Sequence, residues 1–126
     1  MTIFSRIIAG EIPCYKVVEN DRFFAFLDIN PLAKGHTLVV PKQEVDYLYD
    51  LDDDTLQGMI LFAKQVAQKI KAFSGCNRVA TVVLGLEVPH AHIHLIPMNS
   101  EKDVDFSKDK LVLTPEEFAE IAAALQ

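Results

Sequence analysis

The hydrophobic positions follow two periods along the chain, one typical of helices and one typical of strands. Apolar residues recur every three or four positions over 54–72, which predicts a long helix with one apolar face, begun by an acidic run at 52–54. The same spacing over 3–9 predicts a short N-terminal helix. Thr114 and Glu117 match a capping box at the start of a terminal helix.

Runs rich in β-branched and aromatic residues, separated by turn residues, predict strands. The first two form a hairpin about the turn at 20–22, and the last two are joined by a turn at 85–89. The predicted strands are 15–19, 23–28, 35–41, 78–84 and 90–96. Because strands stand before and after one long helix and are joined by hairpins, we expect an α+β fold with an antiparallel sheet.

Composition narrows the classes of function. The net charge of −6 and the isoelectric point of about 5.1 give no cationic surface for duplex nucleic acid, so no nucleic-acid partner is expected. No apolar run is long enough to span a bilayer, and the N-terminus lacks a signal-peptide pattern. We therefore predict a cytoplasmic protein without a membrane partner, with reduced thiols at Cys14 and Cys76.

Three of the four histidines occupy alternate positions of the segment 90–96. In an extended strand, side chains two positions apart share one face. The sequence therefore predicts a row formed by His90, His92 and His94, with the apolar residues between them facing the core.

Three chemistries are open to such a row. A neutral imidazole is a nucleophile near pH 7, its natural electrophile is phosphorus, and a second imidazole can protonate the leaving group. His-x-His on a strand also suits two zinc ligands, with the third histidine completing a site. Alternatively, the histidines are strand residues whose polar groups are satisfied locally.

Four blocks along the chain carry a resemblance to a known family. Residues 90–96 fit His-φ-His-φ-His-φ-φ, where φ is apolar, and segments 3–13, 25–31 and 35–42 match further family blocks in the same order. The chain resembles the histidine triad (HIT) family over roughly residues 3–97.

The resemblance implies a HIT-like α+β fold and a homodimer. Each subunit would hold a five-stranded antiparallel sheet with one long helix packed on it, plus short N-terminal and C-terminal helices. Residues 1–98 would form the HIT-like domain. Residues 99–126 would be a charged connector and a C-terminal helix packed on the same domain.

The resemblance also implies a metal-independent hydrolase or transferase of purine nucleotides that needs no cofactor. Its substrate would be a nucleoside phosphoramidate or a related nucleotide with a P–N or P–O bond. His92 would attack the α-phosphorus, form a nucleotidyl-histidine and release a nucleoside monophosphate. His90 would orient His92, His94 would face the phosphate and the leaving group, and His36 would complete the polar cluster.

Nucleotide-binding residues follow from the same resemblance. Asp28 would bind the ribose hydroxyls, although without the resemblance its position indicates a turn or capping residue. Backbone N–H groups of the turn, at Gly85, Glu87 and Val88, could hold the phosphate. The base pocket would be lined by apolar residues that otherwise read as ordinary core: Ile3, Phe4, Ile7, Phe26 and Ile29.

Two turn residues depart from the family pattern. Leu86 stands where glutamine is usual, and Glu87 stands where serine or threonine is often found. A carboxylate aimed at a phosphate would repel it, so we expect Glu87 to point away from the site. These departures favour an alternative function, a nucleotide-binding regulatory protein with weak or no turnover.

A structural zinc site of some relatives is not expected here. Those relatives use an N-terminal Cys-x-x-Cys and a later histidine, whereas this chain has Thr2, Ser5 and Glu44 at those positions.

Overall fold

The computed structural model of the protein describes all 126 residues and contains three helices and five strands. These elements lie within a few residues of their predicted positions. In chain order they are α1 (Ile3–Ile8), β1 (Lys16–Glu19), β2 (Phe23–Leu27), β3 (Thr37–Pro41), α2 (Asp53–Ser74), β4 (Arg78–Val82), β5 (Ile93–Met98) and α3 (Pro115–Leu125).

Local capping signals fix where the two longer helices begin and end. Asp52 caps α2 by accepting a hydrogen bond from the Thr55 backbone N–H, and Gly75 ends the helix at a φ of +67°. Thr114 and Glu117 form the predicted capping box at the start of α3. The sequence signals for both helices are therefore confirmed.

The five strands form one antiparallel sheet in the order β1-β2-β3-β5-β4. β2 and β3 pair along their whole length, from Phe23 opposite Pro41 to Leu27 opposite Thr37. β5 lies between β3 and β4, so the end of the histidine segment is on an interior strand of the sheet, next to the edge strand β4. The predicted α+β class and five-stranded antiparallel sheet are confirmed.

The two faces of the sheet pack against different layers. One face carries a core cluster of 19 buried residues that includes α2 and α3. The other face carries a cluster of 5, namely Phe4, Phe24, Phe26, Leu38 and Val40, beneath α1. Strand alternation accounts for the division, because neighbouring residues such as Leu38 and Val39 point to opposite faces.

The predicted histidine strand is wrong in extent, because β5 begins only at Ile93. His90 and His92 precede the strand, where the backbone N–H of Ala91 donates to the Val45 carbonyl instead of to a neighbouring strand. The ring of His90 contacts the Pro41 carbonyl at 2.8 Å and so takes the place of a ladder partner at the end of β3. The apolar positions between the histidines still face the larger core, as predicted.

The connector after β5 runs back across the sheet before α3. It contains a short 3-10 turn at Glu101–Val104, and Leu111 donates a backbone hydrogen bond to the Pro31 carbonyl. Phe118 and Leu125 of α3 join the core cluster that α2 covers. The division into a domain of residues 1–98 and an appended segment of residues 99–126 remains a prediction. None of the helices has the length and apolar character that crossing a membrane requires.

Candidate functional site

A cavity of about 510 Å³ opens on the α1 face of the sheet. His92 and His94 line it, whereas His90 and His36 lie beneath its surface. Every residue that we predicted to bind nucleotide lines the same cavity: Ile3, Phe4, Ile7, Phe26, Asp28, Ile29, Gly85, Glu87 and Val88. The structure therefore brings together His92 and His94, the turn that precedes them and residues from the N-terminal third of the chain.

The ring of His92 is oriented by its own chain. Its Nδ1 lies 2.8 Å from the carbonyl oxygen of His90, which can only accept a hydrogen bond, so Nδ1 carries a proton. In the neutral ring the lone pair is then on Nε2. Nε2 has no hydrogen-bond partner in the protein. Every buried side-chain N or O atom does have one, so Nε2 is not buried and is accessible from the cavity that His92 lines. His92 thus presents a nucleophilic nitrogen to any ligand there.

His90 is fully buried, and both of its ring nitrogens are engaged. Nε2 donates to the Pro41 carbonyl at 2.8 Å, so Nδ1 of the neutral ring accepts from the Thr2 hydroxyl at 2.7 Å. The sequence suggested an orienting role for His90, but it gave no sign that Thr2 or Pro41 would hold the ring. These contacts fix the position of the His90 carbonyl, which in turn fixes His92.

The Thr2 hydroxyl belongs to a small network at the start of α1. It accepts from the backbone N–H of Ser5, and the Ser5 hydroxyl donates to the Glu44 carboxylate at 2.6 Å. The same carboxylate accepts from the backbone N–H of Thr2 at 2.7 Å. These hydrogen bonds lower the pKa of Glu44, the Ser5 hydroxyl contributing most. The three residues at the positions of a family zinc site thus form a hydrogen-bonded link between α1 and His90.

His36 and His94 form a second fixed pair. The backbone N–H of Leu32 donates to Nδ1 of His36 at 3.0 Å, so the proton of the neutral His36 ring is on Nε2. Nε2 then donates to Nδ1 of His94 at 3.0 Å, which leaves the His94 proton on Nε2. That nitrogen has no partner in the protein and reaches the cavity surface. His94 can therefore donate a hydrogen bond to a bound phosphate or leaving group.

Burial keeps both imidazoles uncharged. Desolvation, reinforced by His94, lowers the pKa of His36 to about 3, and desolvation together with His92 lowers the pKa of His94 to about 4. His36 Nε2 lies 3.5 Å from a carboxylate oxygen of Asp28. Since His36 is neutral at pH 7, this contact is not an ion pair.

Asp28 lies just beyond β2, with its side chain at the edge of the cavity. One carboxylate oxygen accepts from the Asn30 backbone N–H at 2.9 Å. Burial raises the pKa of Asp28 despite that hydrogen bond and the nearby His92 and Lys110. A ligand that supplies hydroxyl donors would stabilise the buried carboxylate.

The ring nitrogens also bear on the metal alternative. His90, His92 and His94 do not converge on one point; instead Asp28, His36 and His94 place possible ligand atoms within 4.8 Å of one another. A metal on Nε2 of His36 would move the proton of the neutral ring to Nδ1, where it would oppose the Leu32 N–H. The donor set therefore fits a proton-sharing pair better than a metal site.

The turn between β4 and β5 forms one wall of the cavity. Gly85 has a φ of +74°, which favours glycine at this bend. Leu86 is 94% exposed although it also lines the cavity. Glu87 lines the cavity, and its charge adds to burial in raising the pKa of Asp28. Our expectation that its carboxylate points away from the site stays a prediction. Because Glu87 is exposed, water at the cavity mouth can solvate the carboxylate.

Two residues of the connector complete the cavity and were missed by the sequence argument. The Phe106 ring meets the His94 ring edge-on, with centroids 5.0 Å apart, and Lys110 lies next to it. The connector has a charged composition typical of a solvated link, so no local signal marked either residue as part of a site.

Comparison with known proteins finds relatives that are similar to this chain along most of its length. An uncharacterized HIT-like protein of Borreliella burgdorferi is 38% identical over 128 residues, covering 95% of this chain and 92% of that protein. An adenosine 5′-monophosphoramidase of Schizosaccharomyces pombe is 33% identical over 121 residues, covering 91% and 88%. The crystal structure of a HIT-like protein from Bartonella henselae superposes with a TM-score of 0.84 at 30% identity, covering 98% and 92%.

The family model described as the HIT domain matches residues 9–101, which include β1–β5, Asp28 and all four histidines. With this match and the similarity to relatives along nearly its whole length, the chain belongs to the histidine triad family.

Proposed function

We propose that the protein is a metal-independent hydrolase or transferase of purine nucleotides that releases a nucleoside monophosphate. Its substrates would be nucleoside phosphoramidates or related nucleotides with a P–N or P–O bond at the α-phosphorus. The single observation that carries the proposal is the orientation of His92, whose Nδ1 proton is held by the His90 carbonyl at 2.8 Å. Its Nε2 lone pair is thereby directed to the cavity.

The chemistry would proceed in two substitutions at phosphorus. Nε2 of His92 forms a bond to the α-phosphorus while the bond to the leaving group breaks and its electron pair departs with that group. The Nε2–H of neutral His94 would donate a hydrogen bond to an amine or oxygen leaving group, and a departing amine would take up its proton from solvent. Water then cleaves the P–N bond of the nucleotidyl-histidine, giving the nucleoside monophosphate and restoring His92.

Recognition of the nucleotide would use the remaining lining residues. Ile3 and Ile29 are 49% and 63% exposed at the cavity, so they offer apolar surface to a planar base. Asp28 would accept hydrogen bonds from the ribose hydroxyls. The backbone of Gly85 and Val88 borders the region where the phosphate would lie. The similarity of the chain to the adenosine 5′-monophosphoramidase of Schizosaccharomyces pombe supports this choice of substrate.

The assembly proposed with this function is a homodimer in the cytoplasm. β4 lies at an open edge of the sheet, and Val83 and Leu84 directly after it are 42% and 51% exposed. An apolar sheet edge of this kind suits a second copy of the chain. Sedimentation equilibrium at micromolar concentration measures the mass, and a monomer there would contradict the dimer.

Hydrolysis of adenosine 5′-phosphoramidate in the presence of a chelator tests the activity. His92→Ala should lower kcat by about 10⁴-fold or more, since removal of a nucleophile eliminates the covalent route. His92→Ala and wild type should unfold at similar denaturant concentrations. Equal rates for the two proteins would remove His92 as the nucleophile, and activity lost on chelation would favour a metal mechanism.

A second function, nucleotide binding with little turnover, is favoured by one observation. Leu86 and Glu87 face the cavity where the family pattern has polar, uncharged side chains, and the Glu87 carboxylate would repel a departing anion. Calorimetry with AMP alongside the same assay separates the two functions. Tight AMP binding by wild type without release of product would establish the binding protein.

A further inference from the structure

The cavity contains one lysine, and it comes from a segment that the family match does not cover. The HIT domain match ends at residue 101, whereas Lys110 lies in the connector to α3. It is the only lysine or arginine among the residues that line the cavity. Two residues with carboxyl side chains, Asp28 and Glu87, also line the cavity.

The position of the Lys110 ammonium is fixed by the backbone of its own segment. Nζ donates to the Phe106 carbonyl at 2.6 Å and to the Lys108 carbonyl at 3.1 Å. The connector itself is anchored by the hydrogen bond from Leu111 to Pro31 and by the Phe106 ring against His94. An ammonium has three N–H donors, so one remains for a ligand. Lys110 is therefore held at the site, unlike a surface lysine that extends into water.

A chain of contacts orders the site from the base pocket to the connector. The Phe4 ring contacts the His92 ring with centroids 5.1 Å apart, and the His92 and His94 rings are also 5.1 Å apart. The His94 and Phe106 rings follow at 5.0 Å. A nucleotide with its base beside Phe4 and its α-phosphorus at His92 would direct whatever follows the phosphorus toward His94 and Lys110.

The charge of Lys110 affects the pKa values of two nearby groups, His36 and Asp28. Burial is the main cause of the lowered pKa of His36, and the Lys110 ammonium adds to it. The same ammonium opposes the rise that burial produces in the pKa of Asp28. An anion placed between these groups and the connector would therefore meet a positive potential from Lys110.

We infer that Lys110 is a specificity-determining residue that favours substrates whose leaving group is an anion, such as a phosphate or a nucleotide, over those that release an amine. This inference rests on the proposed function and adds the class of leaving group. When the P–O bond breaks, its electron pair remains on the departing phosphate oxygen, and the ammonium stabilises that charge. A departing amine takes up a proton instead and gains nothing from a nearby ammonium.

Two substrates and three variants test the inference. The substrates are diadenosine tetraphosphate, which releases a nucleotide anion, and adenosine 5′-phosphoramidate, which releases ammonia. Lys110→Gln should lower kcat/KM for the first by about tenfold or more and change the second by less than about threefold, the size expected for a charge-assisted hydrogen bond. Lys110→Arg should restore most of the preference. Lys108→Gln, which changes an exposed lysine of the same segment that does not line the cavity, should leave both rates unchanged.

Equal losses for both substrates, or no loss for either, would overturn the inference. If wild type turns over neither substrate, the proposed hydrolase is refuted, but a role of Lys110 in ligand recognition is not. Calorimetry with ADP and AMP then tests that role. In that case Lys110→Gln should reduce the preference for ADP over AMP by about tenfold. An unchanged preference would show that Lys110 serves only to hold the connector together.

Discussion

The two faces of the sheet use the same strands for different purposes. The face under α2 and α3 buries 19 apolar residues and no histidine, whereas the face under α1 buries a cluster of 5 and holds the histidines of the site. In β3, Val39 belongs to the first face and Leu38 to the second. The comparison indicates that most of the folding free energy comes from one face, while the other remains open enough to form a cavity.

Ile70→Ala tests this division with the largest expected effect. Ile70 is fully buried in α2, so the truncation should lower the free energy of unfolding by about 3 kcal/mol, through lost burial and the cavity left behind. The rate of phosphoramidate hydrolysis by the folded protein at 20 °C should change by less than about twofold. Urea unfolding and steady-state kinetics measure the two quantities.

Ile60→Ala is the matched control, because Ile60 lies in the same helix and is 49% exposed. Its unfolding free energy should change by less than about 0.5 kcal/mol. A large loss of activity in Ile70→Ala without unfolding would contradict the separation of the faces.

The histidine face should show its own dependence of stability on pH. Unfolded imidazoles take up protons near their ordinary pKa of 6.5, but His36 and His94 resist protonation until about 3 and 4 in the folded protein. The unfolded state therefore binds more protons in this window, and the free energy of unfolding falls as the pH drops below about 6.5. Asp28, with its raised pKa, opposes the trend as a single group. We expect a net loss on the order of 2 kcal/mol per pH unit between about pH 6 and 4.5.

Urea titrations at several pH values measure this slope. His36→Gln keeps an N–H donor toward His94 but removes one titrating ring, so its slope should be smaller by about 1.4 kcal/mol per pH unit. An NMR titration of either ring with a midpoint above pH 5.5 in the folded protein would refute the interpretation.

The smallest expected effect concerns the link between α1 and the site. Thr2→Val removes the hydroxyl that donates to His90 at 2.7 Å, so the ring and the carbonyl that orients His92 should be held less firmly. We expect kcat to fall by about fivefold with KM nearly unchanged, within the range of one lost hydrogen bond. Thr2→Ser keeps the hydroxyl and should retain most of the rate.

Nitrogen NMR of the His90 ring supplies a readout separate from activity. In wild type Nε2 should carry the proton, whereas Thr2→Val should show a mixture of tautomers. Full activity in Thr2→Val would show that Pro41 alone is sufficient to hold the ring.

The sequence predicted what depends on local patterns and missed what depends on distant partners. The helices followed from apolar spacing and caps at Asp52 and Thr114, and the strands from residue type and turns. By contrast, nothing near His36 marks the ring of His94, 58 positions away, as the partner of its Nε2. The Thr2–His90 contact joins residues 88 positions apart, which no local pattern records. Phe106 of the connector was not assigned to the site for the same reason, since it gains its role only by packing against His94.

The alternation of core and histidine side chains limits how this chain can change during evolution. Ala91, Ile93 and Leu95 enter the larger core while the histidines between them face the other way. Insertion or deletion of a single residue between His90 and His94 would exchange the two sets, burying imidazoles among apolar side chains and exposing the core residues. The segment from His90 to His94 therefore tolerates substitutions better than changes of length. Length variation among descendants of this sequence should therefore concentrate in the exposed turn at 83–88, where it alters the cavity wall and leaves the histidines in place.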